Sequence, residues 1–318
     1  MNDKITNKLN QLPALPGIYK MLDTKGKIIY IGKSKCLKIR VKSYFTGTPK
    51  WEKIKKLVSL IDDFDITITD THLEARLLEC ELIKEYRPVF NSQMKHDQGY
   101  VYLKVEDYNV HNSLSVVNER SENTYGPFRR RYALNEFTLS LKSLYPIKKS
   151  GKHYAFDYLL FPIALNRDTY QENQRILTEL LSNDDNISLF IQDLELKMKE
   201  AASMYKFETA SKFRDLINGM TFIKHGINGY KDLLCKEILL QIPIQSGYKL
   251  FYISQGNIRH SEKYSSISEI CINHFINCTS MLPPFLAPPM EEKAAIDFRD
   301  ILYSEIMSLP AEMVLFLD

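Results

Sequence analysis

The stretch Gly17-Ile18-Tyr19-Lys20-Met21-Leu22, Asp23-Thr24-Lys25-Gly26-Lys27, Ile28-Ile29-Tyr30-Ile31-Gly32 decides the fold of the amino-terminal part of this chain. Two short runs rich in β-branched and aromatic residues flank a segment whose Asp and Gly are turn formers, so the pattern predicts a β-hairpin. Towards the carboxyl terminus, the spacing predicts a helix over 37–45, another over 51–61, a strand over 65–69 and a helix over 72–86. Arg87-Pro88 closes that last helix, because the residue before proline is pushed out of the α region. An α+β unit follows, with an antiparallel sheet, flanking helices and a boundary near residue 97.

Charge singles out the same segment. The 318 residues carry a net charge of only +3, but from Lys20 to Lys56 twelve Lys or Arg stand against Asp23 and Glu52, a local +10. Such a run points to a polyanion. Lysine is also the usual solvent-facing residue, so composition raises nucleic acid without establishing it. The 44% hydrophobic and 25% charged content is that of a folded globular chain. The Met-Asn-Asp-Lys-Ile-Thr start lacks the apolar core of a signal peptide, and no run approaches a membrane span, so a cytoplasmic protein is expected. The cysteines Cys36, Cys80, Cys235, Cys271 and Cys278 form no Cys-x-x-Cys pair, which favours reduced thiols over a disulfide framework.

Beyond the first domain, residues 99–117 read as further strand, Tyr125-Gly126-Pro127-Phe128 as a turn, and 134–144 as a helix. Residues 166–225 read as wholly helical. Residues 227–318 return to mixed character, with a Pro-rich loop over 282–289 before a final helix.

Hydrolysis of a phosphodiester needs a positioned water, a proton acceptor, a cation at the phosphate and stabilisation of the leaving oxygen. Tyr19 and Tyr30 on paired strands, Arg40 and Tyr44 four apart on a helix, and Glu79 within Leu77-Leu78-Glu79 are candidates, each of which alone also reads as ordinary packing or surface. Their order and spacing resemble the GIY-YIG nuclease family. The tripeptides Gly17-Ile18-Tyr19 and Tyr30-Ile31-Gly32 are followed by Gly32-Lys33-Ser34-Lys35-Cys36-Leu37, Arg40 and Ser43-Tyr44-Phe45. Glu74-Ala75, Leu78-Glu79, Leu82-Ile83-Lys84, Tyr86-Arg87-Pro88 and Phe90-Asn91 then look like the C-subunit branch of the bacterial UvrABC excinuclease.

That resemblance implies a set of roles. Glu79 is the expected sole metal carboxylate, holding one Mg²⁺ or Mn²⁺ that keeps several waters. Tyr19 is the expected general base or water-orienting group, which needs nearby cations such as Lys33 and Arg40 to favour phenolate. Arg40 would neutralise phosphate charge, Tyr30, Tyr44 and Lys33 would orient water or phosphate, and Asn91 would brace the site. Lys35, Lys38 and Lys42 are expected DNA contacts. Gly32 reads either as a close backbone approach to phosphate or as a plain turn. Glu81 stands where the branch commonly carries Asn and, facing another side of the helix than Glu79, is not expected to be a ligand.

The likeness continues into residues 98–165, a connecting region where the branch usually carries iron–sulfur ligands. No cysteine lies between Cys80 and Cys235, so no cluster is expected. Within the helical region 166–226, residues 194–220 resemble the UVR motif through which excinuclease B and C subunits associate, with Met198, Ala202, Phe207, Ala210 and Arg214 in register. The implied arrangement is a helical hairpin that pairs with the B subunit or a second copy; packing within its own chain is the alternative. Residues 227–318 stay unassigned. The expected activity is a single, 3′-side incision of lesion-bearing double-stranded DNA in nucleotide excision repair. A non-catalytic B-subunit partner and a stand-alone structure-specific nuclease are the alternatives.

Overall fold

The computed structural model describes residues 3–46, 51–95, 99–109, 112–283 and 292–317. The chain divides into two compact units, residues 1–97 with 232–318, and residues 98–231. The four segments expected from sequence thus group in pairs.

In the first unit, α1 (Asp3–Asn10) leads into β1 (Gly17–Leu22) and β2 (Ile28–Ser34), the expected hairpin. Next come α2 (Leu37–Thr46), α3 (Glu52–Leu60), β3 (Asp63–Ile68) and α4 (His72–Tyr86). The sheet is antiparallel with order β2-β1-β3, pairing Tyr19 with Gly32 on one side and Ile66 on the other. Strand alternation sends Tyr19 and Met21 to one face, where they join Leu37, Val41, Tyr44, Leu57 and Phe64 in one core. Ile18 and Ile31 point the other way and are equally buried, because α4 lies against β1 and β2. A capping box starts α4: the Thr71 side chain accepts from the Glu74 amide, and Glu74 from the Thr71 amide. Arg87, in the left-handed region at φ 47°, ends it just before Pro88.

The second unit contains β4 (Val101–Val105), β5 (Leu114–Val117), β6 (Thr124–Phe128), α5 (Arg131–Leu141), the two-stranded β7 (Lys148–Ser150) and β8 (His153–Ala155), and helices α6 (Arg167–Ser182), α7 (Asp184–Ser203) and α8 (Phe207–Asn228). Tyr125 to Phe128, expected as a turn, is instead strand β6, paired with β4 in a β5-β4-β6 sheet. Gly126, at φ +119°, absorbs a register shift opposite Val101 and Leu103 that a side-chain-bearing residue would resist. Leu103, Phe128, Phe137, Leu177, Phe190, Leu194, Phe213 and Met220 share one core, so the connecting region and the helical region fold together.

After α9 (Lys231–Cys235) the chain returns to the first unit with the strands β9 (Glu237–Ile244), β10 (Gly247–Ser254) and β11 (Asn257–Tyr264), then α10 (Glu269–Ser280), α11 (Glu292–Ser308) and β12 (Val314–Leu317). The sheet is antiparallel, ordered β11-β10-β9-β12, so a strand follows the helix expected to be last. Gln255 and Gly256, at φ 51° and 71°, form the tight β10–β11 turn. Within this unit α11 packs on α4. Lys84 meets the buried Asp297 at 2.9 Å and Arg76 meets Glu305 at 2.9 Å, while Lys249 reaches Asp70 at 2.7 Å and Glu74 at 2.5 Å. Of the Pro-rich loop, 284–289 lies outside the described residues.

Candidate active site

The site is assembled at the outer edge of β2, whose backbone would otherwise be unpaired. The Phe90 amide donates to the Ile29 carbonyl at 3.0 Å. The Asn91 side chain then acts as a piece of strand: its Oδ1 accepts from the Ile31 amide at 3.0 Å and its Nδ2 donates to the Ile31 carbonyl at 2.8 Å. One residue pair further, Glu79 Oε1 accepts from the Lys33 amide at 3.0 Å. Four edge groups, on Ile29, Ile31 and Lys33, are satisfied by residues after or within α4, which locks that helix to the hairpin. Asn91 therefore braces the site through the backbone of β2.

Glu79 is 9% exposed, and its second oxygen accepts from Lys33 Nζ at 2.8 Å. On the sheet face next to it the three tyrosines form a triangle, with ring centroids 5.7–6.3 Å apart. The Tyr19 and Tyr44 hydroxyls are hydrogen-bonded at 2.9 Å, and Arg40 donates to the Tyr44 hydroxyl at 3.4 Å while lying 5.2 Å from the centre of its ring. Tyr19 packs directly over Gly32, and a Cβ there would overlap its phenol. The glycine of the second tripeptide is thus required by the tyrosine of the first, a cause different from the turn or phosphate approach read from sequence. Gly17 is constrained likewise, by the Thr67 carbonyl of β3 and by Leu37.

A cleft of about 370 Å³ opens on this arrangement, lined by Tyr30, Lys33, Arg40, Tyr44, Glu79 and Asn91 among others. Tyr19 lies behind Tyr44, 1% exposed. Burial, reinforced by Tyr44 and Tyr30, holds its phenol well above the ordinary range, and the opposing pull of Arg40 does not reverse this. Tyr30 is raised for the same leading reason. The phenolate that cations were expected to favour is therefore disfavoured in the free protein, where Lys33 is turned towards Glu79.

The expected catalytic set Tyr19, Tyr30, Lys33, Arg40, Tyr44, Glu79 and Asn91 comes together. The three lysines Lys35, Lys38 and Lys42 line no part of this cleft. Lys53, which the sequence did not single out from its basic run, does line it, hydrogen-bonded to Ser92. Among the described residues, no group of three or more His, Cys, Asp or Glu is placed to share a metal ion. Of the residues that line the cleft, Glu79 is the carboxylate on which a cation would rest. A lone carboxylate, steadied through one oxygen by an amide and bonded through the other to an exchangeable ammonium, suits a hard cation that retains water.

On the α7–α8 hairpin, the inner apolar face turns into the unit's own core: Leu194, Ala201, Phe213 and Leu216 are buried, with Met198 and Ala210 packed beside them. Ala202, Phe207 and Arg214 remain exposed. No helix among the described residues is long and apolar enough to cross a membrane.

The family of UvrC-like GIY-YIG domains matches residues 15–92. UvrABC system protein C of Desulfitobacterium hafniense is 30% identical over 338 aligned positions, covering 98% of this chain and 50% of that protein. The same protein of Acetivibrio thermocellus is 36% identical, covering 69% of this chain and 38% of its own length. Among solved structures, the GIY-YIG N-terminal endonuclease domain of UvrC from Thermotoga maritima, bound to its catalytic magnesium, is 37% identical over all of that domain and 29% of this chain, with a TM-score of 0.27. The chain spans about half the length, or less, of the curated relatives it matches, and its residues 15–92 match the UvrC-like GIY-YIG domain.

Proposed function

We propose that this chain is a DNA endonuclease that hydrolyses one phosphodiester bond, on the 3′ side of a lesion, in nucleotide excision repair. The observation that carries this reading is the convergence of Tyr30, Lys33, Arg40, Tyr44 and Glu79 on one cleft, with Tyr19 hydrogen-bonded behind Tyr44.

Glu79 would hold a Mg²⁺ or Mn²⁺ ion, which when bound supplies Lewis-acid stabilisation of charge on the phosphate. Arg40, at the cleft wall, pairs its planar fork with phosphate oxygens. Lys33 leaves Glu79 for the phosphate as the substrate enters. Tyr44 and Tyr30 present hydroxyls that orient the attacking water, and the Tyr19–Tyr44 hydrogen bond holds the Tyr44 hydroxyl in place for that task. Because Tyr19 is held neutral in the free protein, its part there is to orient Tyr44.

Recruitment falls to the hairpin. Its tip exposes Met204, Tyr205 and Phe207, which supports docking on the excinuclease B subunit or on a second copy. The same tip is the one feature favouring a second reading, a non-catalytic B-subunit partner. Incision of a lesion-bearing duplex with Mg²⁺, with and without excinuclease A and B subunits, separates the two. The expected result is a 3′-side nick in the native chain and loss of about 10³-fold in Glu79→Ala, with Arg40→Ala also impaired. Equal nicking by Glu79→Ala would remove the carboxylate from the mechanism.

A further inference from the structure

Resting on the nuclease reading, we propose that the cleft formed by the α4 amino-terminal turns and the 232–317 segment of the same unit holds a backbone phosphate of the nucleic acid, flanking the scissile one. The cleft, about 710 Å³, is larger than the catalytic cleft. His72, Arg76, Glu79 and Ile83 are spaced four, three and four apart, so one face of α4 supplies residues to both clefts. A strand that enters over Glu79 therefore has a continuous wall to follow.

The chemistry of the second cleft suits phosphate. Lys35, exposed at its rim, supplies positive charge beside the Arg76–Glu305 pair, and Gln245 and Ser246, both exposed, supply neutral polar groups, while the Thr69, Thr71, Ser304 and Ser308 hydroxyls already donate within the protein. Its two acids are already matched: Asp70 pairs with Lys249 and Lys263, and Glu305 with Arg76. The far wall is fixed by those pairs and by Lys84–Asp297, so the cleft is built before any ligand arrives. Burial, then Lys35, Arg76 and Lys33, push the His72 imidazole down to about 4. This gives the 232–317 segment a task, the second wall of the nucleic-acid track.

The test measures binding of a labelled DNA duplex to the full chain in EDTA across a NaCl series, with nicking in Mg²⁺ and the A and B subunits assayed in parallel. Lys35→Gln should lower the slope of log K against log salt by about 0.9, the loss of one phosphate contact. Gln245→Glu and Ser308→Asp, exposed on the opposite wall, should each weaken binding at low salt, whereas Lys25→Gln, in the hairpin turn at the other end of β1 and β2, should leave the slope unchanged. Binding that follows this pattern supports the subsite even if no nick is made, an outcome that sinks only the nuclease reading. Nicking by the native chain with native slopes and affinities in all three cleft variants overturns the subsite and leaves the nuclease reading standing. Absence of duplex binding overturns the subsite, and absence of both binding and nicking overturns both.

Discussion

Around Glu79 the polar groups have found partners inside the protein: the carboxylate holds the Lys33 amide and ammonium, Asn91 holds both backbone groups of Ile31, and Tyr19 holds Tyr44. At the tip of the α7–α8 hairpin the position is reversed, with Met204, Tyr205 and Phe207 standing 53%, 82% and 65% exposed on either side of a residue-tight turn. The first region is organised before a ligand arrives, which is what a site acting on developing charge requires. The second has apolar surface without cover, which is what association rewards. Substitutions in the two regions should therefore fail in different assays.

After the loss of the Glu79 carboxylate, the largest effect is expected from Tyr19→Phe. It keeps the ring over Gly32 and removes only the hydroxyl bonded to Tyr44, so single-turnover nicking should fall by about 10²-fold while duplex affinity stays native. Native nicking by this variant would reduce Tyr19 to a packing residue and leave Tyr44 and Tyr30 to orient water. Phe207→Asp should instead leave the cleft intact. Its side chain is largely exposed, with its ring centroid 6.2 Å from that of Tyr205, so the fold should persist, while affinity for the B subunit should drop by about 30-fold, as for an interface anchor. Unchanged B-subunit affinity would move the docking surface off this hairpin.

How far each region was legible in sequence follows from how local its determinants are. The β1–β2 hairpin and α4 were readable because alternation, a turn segment and Arg87-Pro88 lie within a few residues of what they shape. The site residues were readable through tripeptide motifs, but two of their reasons were not. Gly32 looked like a turn or phosphate glycine, and only the pairing with Tyr19 across the strands exposes the ring above it. The suppression of the Tyr19 phenolate depends on burial by residues on other elements. Grouping along the chain was the least legible part. The pairs joining 232–317 to α4 span 175 to 229 positions, and no local pattern announces Lys249 opposite Glu74 or Arg76 opposite Glu305. Likewise the inner face of the hairpin reads as apolar whether it awaits a partner or, as here, shares a core with Phe137 and Leu177 of its own unit.

A smaller effect, on stability, should come from Gly32→Ala. The added methyl meets the Tyr19 phenol inside a filled core, so either the ring or β2 must move, at about 1–3 kcal/mol. Urea denaturation should show this loss, and nicking should fall with it, because the displaced ring is the one bonded to Tyr44. A native midpoint would mean that Tyr19 has room to turn aside, and the preorganisation claimed for this region would weaken.

The smallest effect is a pH dependence that separates two parts of the first unit. Burial and the cations Lys35, Arg76 and Lys33 lower His72 to about 4, so between pH 6.5 and 4 the unfolded chain binds a proton that the folded chain refuses. The contribution of neutral His72 is present above 6.5 and is lost as pH falls through that window. Asp63 behaves differently: against the opposing effect of burial, hydrogen bonds from Lys4 and Lys8 lower it to about 2, so its contribution persists to about pH 3.8 and is lost only below. Between pH 7 and 5 the native chain should therefore lose stability that His72→Gln does not lose, with Asp63→Asn parallel to native over that range. A duplex bound in the second cleft adds negative charge beside the imidazole and should raise its titration midpoint, observable in the His72 ring proton shift. An unmoved midpoint at saturating duplex would place the bound phosphates away from Lys35 and Arg76.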